Sequence, residues 1–163
     1  MEGLLLSVHV LAGIVFIGGS AVATSLFSRY APVATSVAAR PAVVGAPVAP
    51  QPETSGDRDR AVAVALHRIT RGYGVFGIVV PVVGIALAVT QGRMGEIWIN
   101  ISMVLTVAAG ALLALRICPE QREALAVPGD GKRLRTLSML AGIYNLLWAT
   151  VVVLMIVRPG AQA

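Results

Sequence analysis

Four long apolar segments, separated by polar stretches, dominate the pattern of this 163-residue chain. Each comes close to or exceeds the roughly 20 apolar residues with which an α-helix crosses a bilayer core of about 30 Å. The predicted spans cover residues 3–27, 72–90, 97–117 and 137–157. The pattern therefore predicts an all-α integral membrane protein, a single domain with four transmembrane helices.

The first apolar segment has a rival interpretation as a secretory signal peptide, because Ala21-Val22-Ala23 resembles a cleavage site. A signal peptide begins with positive charge, whereas this segment begins with Glu2 and its first basic residue is Arg29. We therefore expect the segment to remain in the protein as a helix.

The stretch between the first two spans has two parts. Residues 29–56 are rich in alanine and proline, and because prolines remove backbone donors, we expect a mobile, polyproline-II-like loop. Helical periodicity resumes at residues 57–71, which predict an amphipathic cytoplasmic helix leading into the second span. Within the later spans, Pro81 predicts a kink and Pro119 marks the end of the third span.

Basic residues are divided unevenly between the two sides of this four-span arrangement. Six lie in residues 27–73 and five in residues 116–135, whereas the other side has only Arg93 and Arg158. Loops rich in Lys and Arg stay in the cytoplasm, so both termini are expected outside and both long loops inside. The same loops account for the net charge of +5, and we expect no nucleic-acid binding.

The composition supports a membrane location. Hydrophobic residues make up 56% of the chain and charged residues 13%, and a soluble domain would have about a quarter charged residues. Twelve arginines against one lysine indicate a GC-rich bacterial genome. We therefore expect a multi-pass protein of the bacterial plasma membrane.

Residues that could carry chemistry are few. His9 and His67 lie at depths that differ by roughly 20–30 Å in the predicted topology, so they cannot share a haem iron. The predicted spans contain no acidic residue, which disfavours a pump or transporter working alone, and Cys118 lacks the partners of a catalytic nucleophile. We expect no catalytic, metal or cofactor-binding residue, and hence no enzyme. For His9, a hydrogen bond to a neighbouring helix is favoured over a protonatable or quinone-facing role.

Residues that favour helix packing are more prominent. Small side chains four residues apart let helix backbones approach closely, and amides bond between helices. The candidate packing or partner-binding residues are Gly19, Ala23, Gly110, Ala114, Asn100 and Asn145. Packing among the four spans explains most of this pattern, and docking onto a larger membrane complex is the alternative. Arg133 and Arg135 are candidate contacts for lipid headgroups, although their role in setting topology explains them equally well.

Four segments together resemble a known family. They are HVLAGIVFIGG at 9–19, LHRITRGYG at 66–74, IWINIS at 97–102 and IYNLLWAT at 143–150. They resemble respiratory supercomplex association factor 1, the small four-span subunit that accompanies the actinobacterial cytochrome bcc–aa3 (complex III–IV) supercomplex. The resemblance covers most of the chain apart from the proline-rich loop, and no functional residues carry over from it.

The resemblance implies a non-catalytic accessory subunit that stabilises or tethers this supercomplex. Such a subunit has no cofactor of its own, because the haem and copper belong to the partner subunits. The implied partners are membrane subunits of the supercomplex and lipids, with cardiolipin as a candidate. The alternative function is a stand-alone small transporter or permease-like protein.

Overall fold

The computed structural model describes residues 2–33, 55–128 and 131–160, and these are helical almost throughout. The predicted proline-rich loop at 29–56 falls for the most part on residues 34–54, which lie outside the described ranges. The elements in chain order are α1 (Glu2–Tyr30), α2 (Ser55–Phe76), α3 (Val79–Thr90), α4 (Ile97–Leu112), a π-helical turn (Leu113–Ile117), α5 (Cys118–Ala126) and α6 (Lys132–Val157).

Consecutive elements join into four long helices, each long and apolar enough to cross a membrane. They are Gly3–Tyr30, Gly56–Thr90, Ile97–Ala126 and Lys132–Val157, with a mean hydropathy of 2.1 to 2.2 in the most apolar window of each. The predicted all-α fold with four helices of membrane-spanning length is confirmed.

The amphipathic helix predicted at 57–71 and the span predicted at 72–90 together form the second long helix. Within it, α2 continues through residue 72 to Phe76, and an interruption falls at Gly77–Ile78. Pro81 has no N–H to donate to the carbonyl of Gly77, which accepts instead from Val80 N at 3.2 Å in a tighter turn. The proline therefore breaks the helix one turn before its own position.

The third long helix does not end at Pro119, where the sequence analysis placed its boundary. Pro119 lacks the N–H that would bond to residue 115, and the backbone widens into the π-helical turn, in which Cys118 N–H donates to the Leu113 carbonyl. Pro119 then stands in the first turn of α5, where its missing donor is tolerated. The helix continues to Ala126, into the stretch between the third and fourth predicted spans.

The four long helices pack as an antiparallel bundle. α1 contacts α2 and α3 on one side and α6 on the other, α4 packs on α6, and α5 packs on α2. A buried cluster joins α1, α2, α5 and α6 at one end, and consists of Phe27, Ala31, Ala63, Ala124 and Leu137. We call this the basic end, because the charged segments at 55–71 and 116–135 lie there. At the opposite end α3 and α4 scarcely touch, so the bundle is closed at the basic end and open between these two helices.

Candidate functional site

A polar seam connects α1 and α6. Three side-chain hydrogen bonds cross it. One joins the Ser20 and Tyr144 hydroxyl groups at 2.7 Å, Asn145 Nδ2 donates to Ser25 Oγ at 3.0 Å, and Ser138 Oγ donates to Ser28 Oγ at 2.8 Å. Hydrogen bonds between membrane helices contribute about 0.6 kcal/mol each on average, so their main effect is to fix the register of the two helices. Asn145 thus forms a hydrogen bond between two helices of the chain's own bundle.

Gly19 and Ala23 also face the interior. A methyl group at residue 19 would lie 2.6 Å from the Tyr73 hydroxyl oxygen of α2, so only glycine leaves room for this ring. The Tyr73 ring is further held edge-to-face against Phe16, with 5.8 Å between the ring centres. Ala23, one turn after Gly19, is 2% exposed. These residues are occupied by contacts between the chain's own helices.

The two histidines occupy opposite ends of the bundle. The His9 ring lies against Gly84 of α3, where a methyl group would come within 2.9 Å of His9 Cε1. His67, at the basic end, has its Nδ1 3.1 Å from Gln121 Oε1 of α5. In the described ranges, no three His, Cys, Asp or Glu side chains come together as a metal site would require.

Gly110 and Ala114 of the third long helix face outward. No atom of the described residues lies within 4 Å of a methyl group placed at residue 110, apart from its own helix backbone and chain neighbours. Val107, one turn earlier on the same side of the helix, is 71% exposed, whereas Ala109 on the opposite side is fully buried. We call Gly110 and Ala114 the small-residue face. It lies on a surface that no other helix of the described chain covers.

Asn100, the remaining packing candidate, is also exposed. Its Nδ2 donates to the Glu96 carbonyl oxygen at 3.3 Å, within the first turn of its own helix. The six candidate residues thus separate into an inward group of Gly19, Ala23 and Asn145 and an outward group of Asn100, Gly110 and Ala114. The structure does not bring the six into one site.

The two arginines at the start of α6 have different surroundings. Arg133 is half-buried and its guanidinium donates to Glu123 Oε1 at 2.6 Å, with Glu120 Oε2 3.7 Å away. Arg135 is exposed and has no acidic partner among residues 55–128 and 131–160. It lines an open groove with Lys132, Thr136 and Met139. Arg133 therefore connects α6 to α5, while Arg135 faces the surroundings.

A second charged cluster lies at the opposite end of the bundle. Arg93 contacts both carboxylate oxygens of Glu96, with Nε at 2.5 Å and a terminal nitrogen at 3.0 Å, and the Trp98 indole N–H donates to the same carboxylate. The hydrogen bond from Arg93 holds the pKa of the Glu96 carboxyl below its usual range. The guanidinium groups of Arg93 and Arg158 stand 5.5 and 6.0 Å from the centre of the Trp98 ring. These contacts connect the turn between α3 and α4 to the end of α6.

The sequence analysis did not identify two of these features. The Arg93–Glu96–Trp98 cluster was visible only as charged and aromatic residues beside a short turn, a composition typical of membrane interfaces. Gln121 is fully buried, although it lies in the polar stretch between the third and fourth predicted spans. A glutamine in a polar stretch of sequence does not indicate burial. Gln121 is buried because α5 packs on α2.

No family model, no curated protein and no solved structure matches this chain. The class that its fold defines is a bundle of four helices, each long and apolar enough to cross a membrane.

Proposed function

We propose that this chain is a non-catalytic accessory subunit that stabilises or tethers a respiratory cytochrome bcc–aa3 supercomplex in the bacterial plasma membrane. The observation that supports this most is the small-residue face, Gly110 and Ala114, which the chain's own described helices leave uncovered. Small residues allow another helix to approach closely, and close packing is a main source of association between helices in lipid. The resemblance described above supplies the identity of the assembly, whose other subunits hold the haem and copper.

The proposed orientation has the basic end in the cytoplasm and both termini outside. It is supported by the gathering of the basic segments 55–71 and 116–135 at one end of the bundle, while Arg93 and Arg158 lie at the other. An excess of Lys and Arg marks cytoplasmic loops.

Cysteine labelling tests this orientation. In a Cys118→Ser background, we introduce Arg122→Cys at the basic end and Met94→Cys at the opposite end, since both side chains are exposed. A membrane-impermeant maleimide applied to intact cells should label residue 94, and should label residue 122 only after the membrane is permeabilised. Labelling of residue 122 in intact cells would contradict the proposed orientation and indicate that the basic end faces outward.

Solubilisation in mild detergent followed by native electrophoresis tests the function. The 16.9-kDa chain should migrate with haem-absorbing material of far larger mass, and should be colourless once separated from it. Deleting the chain should lower the yield of intact supercomplex while quinol oxidation and oxygen reduction remain measurable. Migration alone, under conditions that preserve the supercomplex, would reject the proposal and favour the stand-alone transporter.

A further inference from the structure

A buried polar cluster lies where α2 packs on α5 at the basic end. Thr70 and Gln121 are both fully buried, and His67 Nδ1 lies 3.1 Å from Gln121 Oε1. Thr70 follows His67 by three residues, so the two share a side of α2. We infer that this cluster encloses a bound water molecule, which joins the Thr70 hydroxyl to the Gln121 amide across the two helices. The inference concerns the chain itself and does not rest on the supercomplex proposed above.

Two polar atoms of the cluster have no hydrogen-bond partner among the described residues. They are Thr70 Oγ1 and Gln121 Nε2. Leaving a buried polar atom without a partner destabilises a protein, so such atoms are nearly always bonded to the protein or to an ordered water. The Oε1 atom of the amide is already engaged by His67, so the Nε2 hydrogens need a different acceptor. Exchanging the two amide atoms would only leave the oxygen unpaired instead of the nitrogen.

Thr70 differs from other threonines of the bundle in how its hydroxyl is placed. Thr24 Oγ1 donates to the Ser20 carbonyl at 2.8 Å, and Thr150 Oγ1 donates to the Leu146 carbonyl at 2.9 Å. Such a bond to the preceding turn satisfies the hydroxyl within its own helix. Thr70 Oγ1 makes no such bond, so its hydroxyl is available to a group outside α2.

The surroundings of the two atoms favour water over other small guests. Because both side chains are 0% exposed, the guest has to be small and enclosed by the helices. The amide Nε2 only donates hydrogen bonds, which excludes a cation. Enclosing an anion such as chloride requires a buried counter-charge, and Arg71, one turn after His67, is exposed to solvent. A water molecule accepts from the amide, bonds the hydroxyl and carries no charge.

A double-mutant cycle on the full-length chain in detergent tests the inference. Thr70→Val replaces the hydroxyl by a methyl group of similar size, and loss of the bridge should lower the thermal unfolding midpoint by about 2–4 °C. Gln121→Met should lower it more, because the amide also bonds His67. The double variant should lose less than the sum of the two shifts, since both changes remove the same water. A higher midpoint in Thr70→Val would indicate a dry contact with an unpaired hydroxyl and overturn the inference.

Thr24→Val is the matched control for the cycle. Thr24 is also buried, at 2% exposed, and its hydroxyl is already bonded within α1. Its effect on the midpoint should therefore add to that of Gln121→Met. If Thr70→Val and Gln121→Met are equally additive, the two side chains share no water and the inference fails.

Two measurements on the wild type identify the guest. Replacing chloride by gluconate in the buffer should leave the unfolding midpoint unchanged, whereas a fall would indicate an enclosed anion and contradict a water. A crystal structure at a resolution that reveals ordered waters should contain one within hydrogen-bond distance of both Thr70 Oγ1 and Gln121 Nε2. A direct hydrogen bond between these two side chains would overturn the inference.

Discussion

Replacing Gly19 by leucine is expected to destabilise the bundle, lowering the free energy of unfolding by about 1–3 kcal/mol or more. Even a methyl group at residue 19 would lie 2.6 Å from the Tyr73 hydroxyl oxygen, and the Tyr73 ring is packed against Phe16. The ring therefore has to leave its position or α1 has to separate from α2. The thermal unfolding midpoint of the purified protein in detergent measures the effect.

Gly18→Leu is the control for this prediction. Gly18 is the preceding residue of the same helix, is exposed, and has nothing within 4 Å of an added methyl group, so its substitution should leave the midpoint nearly unchanged. Shortening the opposing side chain in Gly19→Leu/Tyr73→Ala should recover part of the lost stability relative to Gly19→Leu alone. Equal midpoints for Gly18→Leu and Gly19→Leu would show that this contact contributes little to the fold.

Replacing Gly110 by leucine should leave the stability of the bundle unchanged and weaken its association with the proposed assembly. The added side chain projects from the small-residue face, where it meets none of the chain's described helices, so the unfolding midpoint should stay near that of the wild type. A partner helix seated on this face would be displaced. An overpacking penalty of about 1–3 kcal/mol corresponds to association weakened by roughly 5-fold to more than 100-fold. Native electrophoresis measures the fraction of the chain that migrates with haem-absorbing material.

Gly142→Leu is the corresponding control for the docking face. Gly142 lies on α6, is exposed, and also has nothing within 4 Å of an added methyl group, so it adds the same bulk to a different side of the bundle. Its co-migration should match the wild type. If Gly110→Leu and Gly142→Leu release the chain equally, the small-residue face is not a specific contact. If neither releases it, the partner binds elsewhere.

The overall architecture followed from the sequence because it depends on local properties. The length and apolar content of a segment are sufficient to identify a helix that can cross a bilayer, and the charged loops fall at one end once the helices alternate in direction. The effect of Pro81 was likewise predictable, since a missing donor disrupts the helix in the preceding turn. The continuation of the third long helix past Pro119 was not predictable. It depends on a wider backbone turn and on packing of α5 against α2.

The sequence did not show which small residues face the interior of the bundle and which face outward. Gly19 with Ala23 and Gly110 with Ala114 have the same residues at the same spacing, yet the first pair faces the interior of the bundle and the second faces outward. The spacing states only that two residues share a side of a helix. Which side faces a neighbour depends on how each helix is rotated in the bundle, and the contacts of distant residues such as Tyr73 determine that rotation.

The uneven lengths of the four helices give the molecule a recognisable outline. At 1.5 Å per residue the 35-residue second helix is about 52 Å long and the 30-residue third helix about 45 Å, against a bilayer core of about 30 Å. Because their polar portions lie at the basic end and α2 packs on α5 there, the excess length projects as a pair of adjoining rods. In an electron-microscopy map too coarse to trace side chains, a twin protrusion on one membrane face would mark this chain and reveal its orientation.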